Sequence, residues 1–147
     1  MSTKVEKESP MASEGNVVLK WDKDFQLTVT GGNHTVVINR PASEEEHGVG
    51  PIHLFMAGLG GCIMSVTGMF LDRRNIPIDN LSVEMNWEYA QDPFRIGKVK
   101  VKLILPVKID KKISTALDKV AHSCTVHNTL THPPEIKIEI ETPQSKT

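Results

Sequence analysis

Residues Gly50–Arg74 read GPIHLFMAGLGGCIMSVTGMFLDRR, and this stretch decides the fold. No charged residue stands between His53 and Asp72, yet Gly58, Gly60, Gly61 and Gly68 punctuate the run and a single cysteine, Cys62, lies in its middle. Pro51 suits the first position of a helix, where a missing N–H costs nothing, and Asn75 and Pro77 stop the pattern after Arg74. The stretch predicts one helix of about 23 residues, roughly 35 Å long. That is close to the full width of a compact domain of this size. The 18 uncharged residues from Leu54 to Leu71 sit at the lower limit for a membrane span. The glycines, with Ala57, Ser65 and Thr67, dilute their hydrophobicity, so the helix is assigned to a protein core and no membrane partner is expected.

A helix apolar nearly all round cannot be covered by one small sheet, and its uncovered side needs another partner. A homodimer is the simplest supply. Gly58, Gly61, Ser65 and Gly68 form a small-residue seam along which a second helix or a strand could approach closely.

Outward from the helix the pattern changes period. Val17–Trp21, Phe25–Thr30 and His34–Asn39 are short β-prone runs separated by turn residues, which suits a meander of hairpins. Leu81–Tyr89 and Lys98–Leu105 alternate; Val99, Val101, Leu103 and Leu105 face in while Lys98, Lys100 and Lys102 face out. Asp110 can cap a helix with apolar positions Ile113, Leu117, Val120 and Ala121. Thr125–Leu130 forms a further short helix or turn, His132-Pro133-Pro134 ends it, and Glu135–Glu141 alternates as a last strand. The fold class is α+β, with antiparallel sheets wrapped around a long central helix.

With 147 residues, the chain predicts a single domain over residues 15–147 behind a disordered tail, 1–14. The tail has no apolar signal region, so a cytoplasmic protein is expected. A net charge of -1, with no basic cluster beside aromatics, excludes a nucleic-acid partner. Cys62 and Cys124 make no C-x-x-C pair, so no structural disulfide is expected in a reducing compartment, whereas transient redox chemistry is allowed.

Burial inside the helix should raise the Cys62 pKa, and the plain reading of Cys62 is a small core residue. Cys124 stands at the start of a predicted helix, where free N–H groups favour a thiolate, so by position it is the more acidic thiol. An unperturbed thiol is about 3% ionised at pH 7, and about 90% ionisation needs roughly 3.4 kcal/mol of help. A nucleophilic Cys62 therefore needs a cation or several donors inside the core. His122, Cys124 and His127, with His53 or Cys62, invite a zinc site. Their spacing matches no common zinc signature, so neither metal nor cofactor is expected.

The segments HLFMAGLGGCIMSVTGMFL and CTVHNTL, about sixty residues apart, together resemble the OsmC/Ohr family, the osmotically inducible protein C and organic hydroperoxide resistance proteins. The resemblance rests on Pro51, Leu54, Ala57 and Cys62, then Cys124, Val126, Thr129 and Leu130, and extends in element order from about residue 15 to 141. It implies an intertwined homodimer with the long helices at its centre and two active sites at the subunit interface. It also implies a thiol peroxidase of the oxidative stress response, an oxidoreductase for hydroperoxide detoxification. Cys62 is then the peroxidatic thiol and Cys124 the resolving one, with a dithiol such as dihydrolipoamide as reductant. The family's peroxidases use an arginine to lower the thiol pKa and a glutamate ten residues before the first cysteine to orient it. Here that position is Ile52, and only Glu44, Glu45 and Glu46 lie near in the loop. Arg40 is the favoured arginine and Arg95 the reserve, while Arg73 and Arg74 read as helix-ending cations. An apolar pocket from Leu54, Phe55, Leu59, Met64, Met69 and Phe70 would suit bulky alkyl or lipid hydroperoxides. The competing readings are a non-catalytic redox or small-ligand module of the same fold and a zinc-binding protein.

Overall fold

The computed structural model describes residues 14–21, 26–39 and 49–144. The fold is α+β, with antiparallel sheets and a long helix. The chain gathers into two compact units, Met1–Leu54 and Phe55–Thr147.

In the first unit, β1 (Val18–Trp21), β2 (Gln26–Gly31) and β3 (His34–Asn39) form an antiparallel sheet in chain order. Gly32, at φ +57°, closes the β2–β3 hairpin in the left-handed region that favours glycine. Val36 and Val37 are adjacent and so point to opposite faces, yet both are exposed, as are Leu19 and Trp21. Apolar side chains thus lie open on both faces of this sheet.

Helix α1 (Pro51–Asp72) starts where Pro51 predicts, with the Leu54 N–H reaching the Gly50 carbonyl. It ends at Asn75, whose φ of 56° is left-handed, while the Ile76 N–H returns to the Leu71 carbonyl. Arg74 closes this end by donating to the Phe70 carbonyl, its guanidinium 3.6 Å from the Phe70 ring centroid. Met56, Leu59, Gly60, Ile63, Thr67 and Leu71 are buried along one stripe of the helix. Thr67 is fully buried and spends its hydroxyl on the Ile63 carbonyl at 2.7 Å. Phe55, Gly58, Gly61, Ser65 and Met69 lie exposed on the other side. By length and composition α1 is apolar enough to cross a membrane, and 39% of its most apolar window is buried within this chain.

The hairpin β4 (Ser82–Ala90) and β5 (Arg95–Ile104) is the antiparallel pair that the alternation predicts, extended by three residues at the start of β5. Lys98 meets Glu88 and Lys102 meets Glu84 across its outer face, at 3.8 and 3.9 Å. Such exposed pairs contribute little. Its inner face packs on α1, and Gly60 sets how closely: a Cβ there would lie 2.6 Å from Met85 Sδ and 3.2 Å from Val83 Cγ1. Helix α2 (Lys111–Ala121) is capped as predicted, the Ile113 N–H donating to Asp110 Oδ1 at 2.8 Å. Helix α3 (Thr125–Thr131) follows after two residues beyond the His122 cap position.

One predicted element is not a strand. Glu135–Glu141 joins no sheet among the described residues, and Ile136, Ile138 and Ile140 are 79, 84 and 89% exposed. Alternation signals a strand that wants one covered face; it does not say which molecule covers it.

The Gly60 contact yields a direct expectation. Gly60→Val should lower the unfolding free energy by about 1–3 kcal/mol through overpacking, read as a lower denaturant midpoint at unchanged slope.

Candidate active site

The link between α2 and α3 places the second thiol. After His122 and Ser123, Cys124 turns to extended geometry (φ -67°, ψ 147°) and becomes the N-cap of α3. Its Sγ accepts the His127 N–H at 3.2 Å, doing the work that a serine or aspartate oxygen does at other helix starts. Cys124 is fully buried in a cluster with Leu59 and Ile63, against which Val99, Val101, Ala121 and Val126 pack. Half-buried Cys62, three residues beyond Leu59 on α1, packs against the same cluster. The Cys62 thiol is close enough to act on Cys124 electrostatically. Two cysteines sixty-two positions apart in sequence thus share one apolar pocket of the core.

The electrostatics of Cys124 overturn its positional reading. Burial comes first and pushes its pKa up from an ordinary 9.0; the His127 N–H opposes this, and the Cys62 neighbour raises it further. The net shift is upward, so Cys124 is a protonated thiol at neutral pH and not the thiolate its place at a helix start suggests. A short helix start supplies fewer donors than burial removes.

The expected arginine, Arg40, lies outside the described residues, as do Glu44, Glu45 and Glu46. Arg95 is committed elsewhere, its Nη1 donating to the Gln91 and Pro93 carbonyls at 3.0 Å each. Arg74 is likewise held at the end of α1. Ile52 is 39% exposed and His53 is exposed in the first turn of α1.

His122 Nδ1 lies 2.7 Å from the Asp118 carbonyl and 3.7 Å from Asp118 Oδ2, and its ring meets His127 edge-on at 5.3 Å. His127 Nδ1 is buried and unpartnered. Sequence reading missed the Asp118–His122 pair, although the i, i+4 spacing on α2 signals it. Among the described residues no three His, Cys, Asp or Glu side chains gather to hold a metal ion. That removes the geometric basis of the zinc reading.

A cavity of about 470 Å³ opens between the inner face of β5 and α2, reaching Ile63 of α1 and His127 of α3. Val99, Val101, Leu103 and Leu117 form its apolar wall, with Ser114, Asp118 and His122 at its polar side. The six residues expected to form an apolar pocket, Leu54, Phe55, Leu59, Met64, Met69 and Phe70, are not among those lining it. The reason is packing: Leu59 is spent in the cluster, while Phe55 and Met69 are on the open side of α1.

Residues 43–139 match the sequence profile of the family described as OsmC-like protein. Among solved structures, the chain is similar to an OsmC-like protein from Mycoplasma pneumoniae, with TM-score 0.69 and 18% identity over 84% of this chain and 91% of that one. It is also similar to a protein from Aquifex aeolicus VF5 described only as hypothetical (TM-score 0.69, 13% identity, 83% and 90% covered). A third is an organic hydroperoxide resistance protein OsmC from Legionella pneumophila (TM-score 0.60, 18% identity, 83% and 91% covered). No curated protein matches the chain.

The raised thiol pKa sets a pH dependence. A group that holds its proton more tightly when folded contributes stability that is fully present below its unfolded pKa and is lost as pH climbs through the folded one. The reduced protein should therefore lose stability as pH rises above 9.0. Cys124→Ala should flatten that slope in denaturant titrations across the alkaline range; an equal slope in both proteins would contradict the assignment.

Proposed function

The chain belongs to the OsmC-like protein family, and from that premise we propose that it is a thiol-dependent peroxidase that reduces organic hydroperoxides through a two-cysteine cycle. In this reading α1 belongs to a protein interior and not to a membrane. One observation carries the reading: Cys62 and Cys124 adjoin in one buried cluster while remaining free thiols.

The Cys62 thiolate attacks the distal oxygen of ROOH; the O–O bond breaks, the alkoxide leaves and takes a proton as ROH, and sulfur becomes a sulfenic acid. Cys124 then displaces the hydroxyl, forming an S–S bond and releasing water. A dithiol of the dihydrolipoamide kind reduces the disulfide and is itself oxidised. The protonation of Cys124 suits the second role and not the first: a neutral buried thiol does not compete for peroxide, and its proton leaves with the departing water. The adjacency of the two side chains supports closing the bond without moving either helix far, since a disulfide needs Cα atoms roughly 4.4 to 6.8 Å apart.

The remaining parts of the proposal are the arginine, the dimer and the compartment. Arg40 is proposed as the cation that lowers the Cys62 pKa. A homodimer is proposed to cover the open side of α1; an added Cβ at Gly58 or Gly61 would meet nothing within 4 Å in the single chain, whereas Gly68, expected in the same seam, is buried against Leu81. A cytoplasmic setting fits two free thiols poised for cycling. A redox module that does not turn over peroxide is the second reading, favoured by Ile52 at the position where the family has its glutamate.

Cys62→Ser should abolish consumption of cumene hydroperoxide while leaving the oligomeric state unchanged. Survival of activity in that variant would sink the mechanism. The wild-type protein should turn over cumene hydroperoxide with a kcat/KM at least about tenfold above that for hydrogen peroxide, because an apolar body adds binding in a dry site. Equal efficiencies would remove the substrate assignment.

A further inference from the structure

The face of α2 turned to the cavity is only partly apolar. Ser114, Leu117, Asp118, Ala121 and His122 line it, at positions i, i+3, i+4, i+7 and i+8. A helix that covers a core ordinarily fills that row with apolar side chains. Val99, Val101 and Leu103 of β5 form the apolar wall, and His127 of α3 also reaches the cavity. One atom there is unexplained: His127 Nδ1 is buried and has no hydrogen-bond partner among the described residues. A buried polar atom in that state is uncommon and lowers stability unless something else satisfies it.

We propose that this cavity binds a small apolar molecule carrying one uncharged hydroxyl, an aliphatic alcohol or a phenol. The hydroxyl bonds to His127 Nδ1, and the apolar body lies against β5 and Leu117. A volume of about 470 Å³ falls within the range of small-molecule sites, roughly 300–1,000 Å³, whose usual lining is apolar with a few convergent polar groups. The inference goes beyond the peroxidase reading. Neither cysteine is among the residues lining the cavity, and binding there needs no electron transfer.

The chemistry of the polar side selects the head group. His122 Nδ1 lies 2.7 Å from the Asp118 carbonyl oxygen, which can only accept, so that nitrogen carries a proton and is already used. His127 Nδ1 is a donor or an acceptor according to its tautomer. A hydroxyl satisfies it in both cases, because it donates and accepts. A carboxylate can only accept, and it would add a second negative charge to the side where Asp118 stands. An ammonium can only donate, and it would carry its charge into a cavity with an apolar wall.

Isothermal titration calorimetry on the reduced full chain tests this with n-octanol, octanoate and octylammonium, three probes that share a body and differ in head. Octanol should bind saturably, and at least about tenfold more tightly than either ion. His127→Phe keeps a ring and removes the nitrogen. Because it deletes an unsatisfied buried atom, the variant should fold at least as well as the wild type, and it should bind octanol about tenfold more weakly. Ser114→Trp, at an exposed position that lines the cavity, should fill the site and abolish binding. Octanol that never saturates, binds His127→Phe or Ser114→Trp as it binds the wild type, or is matched by octanoate would overturn the assignment. Peroxide enters none of these readouts, so the result is independent of the cysteine cycle.

Discussion

A helix that is apolar on nearly every side must be covered on nearly every side, and the rest of this structure follows from how α1 meets that requirement. The β4–β5 hairpin covers one stripe, and Gly60 lets it approach to the distance at which Val83 and Met85 touch the helix backbone. The segment around Cys124 covers the next stretch, burying Leu59 and Ile63. Phe55, Gly58, Gly61 and Met69 are left open. Apolar area left in water costs on the order of 25 cal/mol per Å², so the single chain is an incomplete solution to its own burial problem.

The same packing creates the chemistry. The thiol of α1 and the N-cap thiol of α3 are brought together because Cys124 must be buried against Leu59 and Ile63 to seat its short helix. A seven-residue helix is too short to be stable by itself, so its position is set by that cluster and by the His127 N–H held on sulfur. Burial also makes the two cysteines unlike: it holds Cys124 protonated, while Cys62 is only half-buried.

Much of this was legible in the sequence, and the parts that were not share a cause. Pro51, Asn75 and Pro77 fixed the ends of α1, Asp110 announced its cap, and the alternation of Val99, Val101 and Leu103 gave the inner face of β5. These are local signals, each read within a turn or a strand. The acidity of Cys124 failed because sequence reveals a helix start but not how deeply the side chain is buried, and burial was the larger effect. The six residues expected to form an apolar pocket do not line the cavity behind β5, since apolar positions all round α1 do not say which side is already occupied. Glu135–Glu141 carries a strand-like alternation but pairs with no strand among the described residues, since alternation alone supplies no partner edge. The pairing of Cys62 with Cys124 came from family resemblance and not from any spacing rule, because contacts between distant helices leave no local mark.

The most direct test of the account is the fate of the two thiols on oxidation. One equivalent of cumene hydroperoxide added to the reduced protein, followed by intact mass and peptide mapping, should yield one disulfide joining Cys62 to Cys124 within the same chain, formed at the rate at which peroxide disappears. Slow oxidation of both thiols to separate acids, with no bond between them, would mean that the fold brings the cysteines together for packing alone.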